Sequence, residues 1–189
     1  MIDIDQIYAI VEESSHESAF NREEVEALFN TLLKLSDSAT VVEIGVQYGR
    51  STSVIAEIGK VKKFNFYAID NWNEDVSSEA REHVLRQKER HNWNFQLIDG
   101  DSVYSASDFK GTVDLIHIDG NHEYEAVLAD IKAWLPKMNK NGFACFDDYG
   151  HDSLPGVYQA CTEYFENNPS WKFIGRYGNK FGIYQKISD

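Results

Sequence analysis

The sequence has few cysteines and no long apolar run. It therefore indicates neither a disulfide nor a membrane-spanning segment. It has two cysteines, Cys145 and Cys161, and both lie in apolar stretches. We therefore expect small buried thiols in a reducing compartment, and neither a disulfide nor a metal site. No apolar run approaches the roughly 20 residues that a membrane helix needs. The acidic N-terminus also lacks the basic and apolar regions of a signal peptide, so we expect a cytoplasmic protein.

Basic residues are also scarce, since 18 Lys and Arg stand against 31 Asp and Glu, and the formal net charge is −13. Phosphate contacts supply most of the affinity for nucleic acids, so nucleic acid and anionic membranes are disfavoured as partners. A small-molecule partner is expected instead. The 189 residues, 42% of them hydrophobic, fit one globular domain spanning residues 1–189. A homo-oligomer stays open, because N-terminal helices could cover the core or form a dimer contact.

Strand and helix patterns alternate from residue 40 onward, after an N-terminal helical segment at 1–37. That segment carries a capping box of Asn21 and Glu24. The alternation predicts a mostly parallel sheet with helices on both faces. Strands are predicted at 40–44, 64–69, 94–98, 113–118 and 142–147, and helices near 51–59, 78–90, 123–135 and 157–167.

The segment 41–50 carries the most informative local motif. An apolar strand reaches Glu43, Gly45 and Gly49 follow with three residues between them, and a helix is expected from Ser51. Glycines so placed let a ligand approach the backbone. The motif matches neither the dinucleotide fingerprint nor the phosphate-binding P-loop, because the glycine spacing differs from both. An acid before the loop suits a ligand with positive charge, although a tight turn without a ligand is the alternative.

Further acids stand where the second and third strands end. Asp70 closes the second strand, and Asp101 and Ser102 follow the third. Ligands of doubly wound sheets bind at such strand ends, and an acid after the second strand can accept the ribose hydroxyls. With Glu43, these acids are expected to form an acidic cleft that favours a cationic cofactor over NAD or ATP. Asp70 could instead cap a helix or turn, and Asp99 or Asp101 could cap the next short helix.

These features together resemble class I S-adenosylmethionine (AdoMet)-dependent methyltransferases over residues 40–187. The Glu-x-Gly-x-x-x-Gly run resembles the first motif of that family. Two terminal strand-like runs, 171–176 and 180–186, resemble its antiparallel final hairpin. The resemblance implies a Rossmann-like α/β fold: a doubly wound, seven-stranded, mostly parallel sheet with a C-terminal antiparallel β-hairpin. It also implies that AdoMet is bound by Glu43, Gly45, Gly49, Ser51, Asp70, Asp101 and Ser102.

Three acids end the fourth and fifth strands, which we expect to be neighbours: Asp119, Asp147 and Asp148. Carboxylates at one cleft repel unless they are protonated or bound to a cation. A hard divalent ion such as Mg²⁺, Mn²⁺ or Ca²⁺ would resolve this and would lower the pKa of a substrate hydroxyl. His122 is placed to remove the hydroxyl proton. Alternatively, Asp119 could contact only the cofactor, Asp147 or Asp148 could cap a turn, and His122 could begin the next helix as a polar cap.

This second constellation resembles the metal-dependent O-methyltransferases of the catechol and sugar types. The resemblance implies that Asp119, Asp147 and Asp148 hold the metal, and that His122 is the base. The Asp-Gly-x-His run at 119–122 resembles the sugar-modifying branch, although that branch usually has Glu or another polar residue where this chain has Asp147. The implied reaction is methylation of a hydroxyl on a sugar-like, polyol-like or catechol-like molecule.

Three other functions stay open. A metal-independent small-molecule N- or O-methyltransferase would use His122 or an acid as the base. An iron-dependent oxygenase would use His117 and Asp119, with His151 completing the set. A non-catalytic protein would bind AdoMet without turnover.

Overall fold

The sheet contains seven strands and has the predicted fold class. The computed structural model describes residues 3–13, 20–73 and 77–188. The strands are β1 (Thr40–Ile44), β2 (Asn65–Asp70), β3 (Gln96–Asp99), β4 (Val113–Ile118), β5 (Met138–Phe146), β6 (Trp171–Tyr177) and β7 (Phe181–Lys186). Their order is β3-β2-β1-β4-β5-β7-β6. Strands β1 to β5 are parallel, and β7 runs antiparallel to both β5 and β6, which confirms the terminal hairpin.

Helices cover both faces of the sheet, because strand residues alternate between two apolar cores. Val41 faces one core and Val42 faces the other. The helices are α1 (Ile4–Glu13), α2 (Arg22–Leu33), α3 (Arg50–Lys62), α4 (Ser77–Arg90), α5 (Ser102–Asp108), α6 (Tyr124–Trp134) and α7 (Pro155–Phe165). Helices α1 to α4 cover the first face, and α5 to α7 cover the second. Within the described ranges, no helix has the length and apolarity to span a membrane.

Of two predicted helix starts, the capping box of α2 is confirmed and the start of α3 is shifted by one residue. The capping box is present, since Asn21 Oδ1 accepts from the Glu24 amide at 3.2 Å and Glu24 Oε2 accepts from the Asn21 amide at 2.7 Å. Parts of the predicted 1–37 segment, residues 1–2 and 14–19, lie outside the described residues. The predicted start of α3 at Ser51 is corrected to Arg50, where Gly49 is the N-cap with a left-handed φ of 80°.

Both cysteines are buried and free. Burial raises the pKa of each thiol, which disfavours the reactive thiolate.

Candidate active site

A cavity of about 890 Å³ lies at the carboxyl ends of the central parallel strands. One wall is the loop after β1 together with the ends of β2 and β3. The opposite wall is the ends of β4 and β5. This position follows from the topology, because parallel strands bring their carboxyl ends to one edge of the sheet. The volume is within the range of small-molecule sites.

The two walls meet at Gly45. This residue has a φ of +85°, and a Cβ there would lie 1.9 Å from the carbonyl oxygen of Asp119. The loop after β1 therefore packs backbone to backbone against the loop after β4, an approach that only glycine permits. Gly49 has a φ of +80°, and its Cβ would lie 3.1 Å from Val84. Gly45 lines the cavity, whereas Gly49 stands behind it at the start of α3.

Glu43 lies beneath the cavity and is fully buried, which corrects its expected place in an acidic cleft. Its carboxylate accepts hydrogen bonds of 2.6 Å from both Ser51 Oγ and Thr52 Oγ1. These bonds compensate a buried charge and tie the start of α3 to β1. Ser51 does line the cavity, but its hydroxyl donates to Glu43.

His117 completes this buried group and does not reach the cavity. Its Nδ1 lies 3.4 Å from Glu43, and its ring packs between Phe20 and Phe181. Burial is the largest influence and lowers the pKa of His117, but the hydrogen bond with Glu43 and the charges of nearby carboxylates together raise it overall. His151 lies exposed on a loop. The iron ligands proposed for an oxygenase are therefore not assembled.

Asp70 lies in the cavity wall and holds the loop after β1. Its Oδ2 accepts from the backbone amides of Val46 and Gln47 at 2.7 and 3.0 Å, and its Oδ1 accepts from the Trp72 amide at 2.8 Å. A carboxylate has about four acceptor positions, so one remains for a ligand hydroxyl.

Asp101 and Ser102 also line the cavity, and each already has a partner. Asp101 Oδ1 accepts from the Tyr104 amide at 2.9 Å and so caps α5. Ser102 Oγ donates to Asp130, a buried acid on α6 that also lines the cavity. We did not predict Asp130. Its signal was present, because it lies three residues after buried Val127, in a position where a helix normally places an apolar side chain.

Burial raises the pKa of Asp130 to about 6, and the pH dependence of stability tests this shift. Because this pKa lies above the unfolded value of about 3.9, Asp130 costs stability as the pH rises from about 4 through about 6. As the pH rises across that range, we expect the free energy of unfolding of Asp130→Asn to increase by about 2 kcal/mol relative to that of the wild type. Urea unfolding without ligand measures this difference. Asp108→Asn, on the exposed end of α5, should change stability by less than about 0.5 kcal/mol. A pH-independent difference for Asp130→Asn would contradict the assignment.

Asp119, His122 and Asp148 meet on the opposite wall. His122 Nε2 lies 3.0 Å from Asp148 Oδ2 and 3.7 Å from Asp119 Oδ1. One ligand atom from each of the three lies within 4.8 Å of the others, and among the described residues this is the one such group able to hold a metal ion. The adjacent carboxylates of Asp119 and Asp148 raise the pKa of His122 to about 10.

The two carboxyl groups of this wall differ in charge environment. Burial, with Asp147 nearby, raises the pKa of Asp119 to about 7. Burial is also the largest influence on Asp148 and raises its pKa, but the hydrogen bonds and charges of His122 and Lys180 together lower the value to about 2. Asp148 is therefore the fixed negative charge, and Asp119 is the acid that exchanges protons near neutral pH.

Asp147 is the acid whose surroundings differ most from expectation. Lys180 Nζ lies 3.1 and 3.0 Å from the two carboxylate oxygens of Asp147, and 3.0 Å from Asp148 Oδ1. The metal set of Asp119, Asp147 and Asp148 stays a prediction: Asp119, His122 and Asp148 form one group, and Lys180 is ion-paired to both Asp147 and Asp148. We did not predict Lys180, because it lies in a hairpin turn, where a lysine is usually solvated.

A protein-family model described as a methyltransferase domain matches residues 42–149, a span that includes both cavity walls. The chain is 31% identical over 134 residues to the uncharacterized protein R132 of Acanthamoeba polyphaga mimivirus, covering 66% of this chain and 57% of that protein. It is 26% identical over 147 residues to the uncharacterized protein y4gI of Sinorhizobium fredii, covering 73% of this chain and 16% of that protein. The chain therefore spans only part of the length of both relatives.

Solved structures share the fold at low identity. The O-methyltransferase NovP is 16% identical with a TM-score of 0.73, covering 92% of this chain and 84% of NovP. CalS11, a TDP-rhamnose 3'-O-methyltransferase of calicheamicin biosynthesis, is 18% identical with a TM-score of 0.65, covering 98% and 93%. The SAH-bound methyltransferase PaMTH1 of Podospora anserina is 12% identical with a TM-score of 0.75, covering 100% and 89%.

Proposed function

This chain belongs to the methyltransferase domain family, and from that membership we propose that it transfers a methyl group from AdoMet to a hydroxyl of a small molecule. The observation that carries the proposal is the division of one cavity into two walls: the glycine loop with Asp70 on one side, and the Asp119–His122–Asp148 group on the other. The neighbours NovP and CalS11, which are O-methyltransferases by name, support a hydroxyl as the acceptor.

The first wall fits AdoMet better than a nucleotide phosphate. A phosphate-binding loop offers free backbone amides to the ligand. Here the Val46 and Gln47 amides already donate to Asp70, whose negative charge would repel a phosphate. AdoMet has no phosphate, and its sulfonium supplies an electrophilic methyl group. Residues of this wall would hold it: Gly45, Ser51, Asp70, Asp101 and Ser102.

Of the predicted cofactor residues, Glu43 and Gly49 would act indirectly. Glu43 fixes the start of α3 through Ser51 and Thr52, and Gly49 sets the left-handed turn into that helix. Both thereby position the loop that ends at the cavity.

The second wall supplies the group that accepts a proton. His122 Nε2 faces Asp148 and Asp119 and therefore keeps its proton in the neutral ring. This leaves Nδ1 as the nitrogen that takes the proton from the acceptor hydroxyl. The two carboxylates orient the ring, so His122 acts as the base and the cavity aligns the hydroxyl for an in-line transfer.

A divalent cation is the second candidate, favoured by the compact Asp119–His122–Asp148 group. Two carboxylate oxygens and one imidazole nitrogen suit Mg²⁺ or Mn²⁺ better than Ca²⁺, which prefers six or more oxygens. Such an ion would lower the pKa of the hydroxyl, and His122 would then be a ligand and not the base. Asp147 is held by Lys180 and would take no part.

The test is a calorimetric titration with S-adenosylhomocysteine. We expect the wild type to bind it and Asp70→Ala to bind about 10–100-fold more weakly, a loss of about 1.4–2.8 kcal/mol, because the loop and a ribose acceptor are both lost. Asp114→Ala is the matched control. Asp114 also accepts a backbone amide, that of Thr40 at 2.8 Å, but at the far edge of the sheet.

Each outcome of this titration has a distinct meaning. Unchanged affinity in Asp70→Ala would remove Asp70 from the site. No binding by the wild type would end the AdoMet proposal. Binding without turnover across a panel of sugars, polyols and catechols would favour the non-catalytic alternative.

A further inference from the structure

Lys180 is a buried lysine whose ammonium lies among the acids of the second wall. Its Nζ has three hydrogens, and three carboxylate oxygens lie 3.0–3.1 Å away: both oxygens of Asp147 and Oδ1 of Asp148. The donors of the ammonium are therefore all used within the site. The remaining oxygen of the pair, Asp148 Oδ2, faces His122 Nε2 at 3.0 Å.

The fold holds Lys180 in this position. It ends the turn that leads into β7, and β7 lies beside β5, the strand that Asp147 directly follows. The turn is clamped, because the carbonyl of Gly178 accepts from Asn21 Nδ2 at 3.3 Å. Gly182 packs so closely on Tyr149 that a Cβ would lie 2.5 Å from its ring. The ammonium is thus placed by backbone packing on both sides.

This arrangement competes directly with a divalent ion. An ion bound by Asp147 and Asp148 would need carboxylate oxygens that already face the lysine or the histidine. It would also stand close to a fixed positive charge inside a partly desolvated cleft, where repulsion is strong. Asp147 and Asp148 therefore already have a positive charge beside them, supplied by the chain itself.

We infer that Lys180 is a positioning residue that serves as the resident cation of the second wall and replaces a divalent ion at Asp147 and Asp148. By holding Asp148 Oδ1, it leaves Oδ2 to orient His122. An ion at the Asp119–His122–Asp148 group would share Asp148 with the same ammonium. Methyl transfer is therefore expected to proceed without added metal, a consequence that rests on the proposed function. The inference that Lys180 replaces the ion rests only on its contacts with Asp147 and Asp148.

The experiment is a Mn²⁺ titration followed by electron paramagnetic resonance on four proteins: the wild type, Lys180→Met, Lys180→Arg and Lys172→Met. Removing the charge frees the oxygens of Asp147 and Asp148. We therefore expect Lys180→Met to bind Mn²⁺ at least about tenfold more tightly than the wild type. Lys180→Arg retains the charge and should match the wild type. Lys172, exposed on β6, controls for the loss of any lysine.

A lysine with a merely structural role would lower stability without this gain in Mn²⁺ affinity. Wild-type binding as tight as that of Lys180→Met would overturn the inference. If Lys180→Met fails to fold, Mn²⁺ binding is compared between the wild type and Asp147→Asn. Wild-type binding that Asp147→Asn abolishes would also overturn the inference. No wild-type binding, or binding that Asp147→Asn leaves unchanged, would support the inference.

Turnover is measured separately, with and without EDTA. Activity within about twofold after chelation is expected, and loss of activity that Mn²⁺ restores would contradict the inference. A complete lack of turnover would count against the proposed function, whereas the Mn²⁺ titration would still report on Lys180.

Discussion

Gly45→Ala is expected to lower the free energy of unfolding by about 2–5 kcal/mol. The left-handed backbone at φ +85° costs a non-glycine residue about 1–2 kcal/mol, and overpacking adds about 1–3 kcal/mol. The new methyl group would stand 1.9 Å from the carbonyl oxygen of Asp119. That atom belongs to the backbone, so no side chain can rotate away to relieve the clash.

Urea unfolding measures this loss, and Gly100→Ala is the control. Gly100 also lines the cavity, but a Cβ there would meet no atom within 4 Å, so we expect less than about 1 kcal/mol. Binding of S-adenosylhomocysteine should be lost in Gly45→Ala alone. Wild-type stability in Gly45→Ala would mean that the two loops separate freely, and the shared backbone contact between the walls would be refuted.

His122→Ala is expected to reduce the rate of methyl transfer by about 10²–10⁴-fold, the usual contribution of a general base. Affinity for S-adenosylhomocysteine should stay unchanged, because His122 lies on the wall opposite the glycine loop. Single-turnover kinetics separate the two effects. His91→Ala is the matched control, since His91 stacks on Trp93 away from the cavity. An unaffected rate in His122→Ala would leave His122 as a polar residue at the start of α6.

The pH profile distinguishes His122 from Asp119 as the proton acceptor. A base works only when deprotonated, so the rate should rise with pH up to the His122 pKa of about 10. Asp148→Asn removes a hydrogen bond that raises this pKa and should move the rise to lower pH. A rate that stays constant above about pH 7 would instead identify Asp119 as the proton acceptor, because burial raises the pKa of Asp119 to about 7.

The fold was predictable because its signals are local. Apolar runs of strand length alternate with amphipathic helices, and the predicted bounds of the first strand, 40–44, match β1. The hairpin showed itself as two strand patterns without a helix between them. Strand ends could then be placed on one edge of the sheet, which is why acids of both walls were found from sequence.

The partners of those acids were not predictable from local pattern. Glu43 is satisfied by hydroxyls on the first turn of α3, a contact that depends on how the helix crosses its strand. Lys180 meets Asp147 only because β7 inserts beside β5, a pairing between distant parts of the chain. Asp130 is different, since its place among the buried residues of α6 was visible in the periodicity and was overlooked.

The insertion of β7 between β5 and β6 also sets an order of events during protein synthesis. Chains emerge N-terminus first, and earlier segments begin to fold before later ones exist. Strands β1, β2 and β3, which carry the cofactor wall, leave the ribosome long before β7. Until β7 arrives, β5 presents an open edge, β6 has no strand to pair with, and Asp147 lacks its lysine. A ribosome stalled within β6 should therefore hold a nascent chain whose second wall still lacks the ammonium of Lys180.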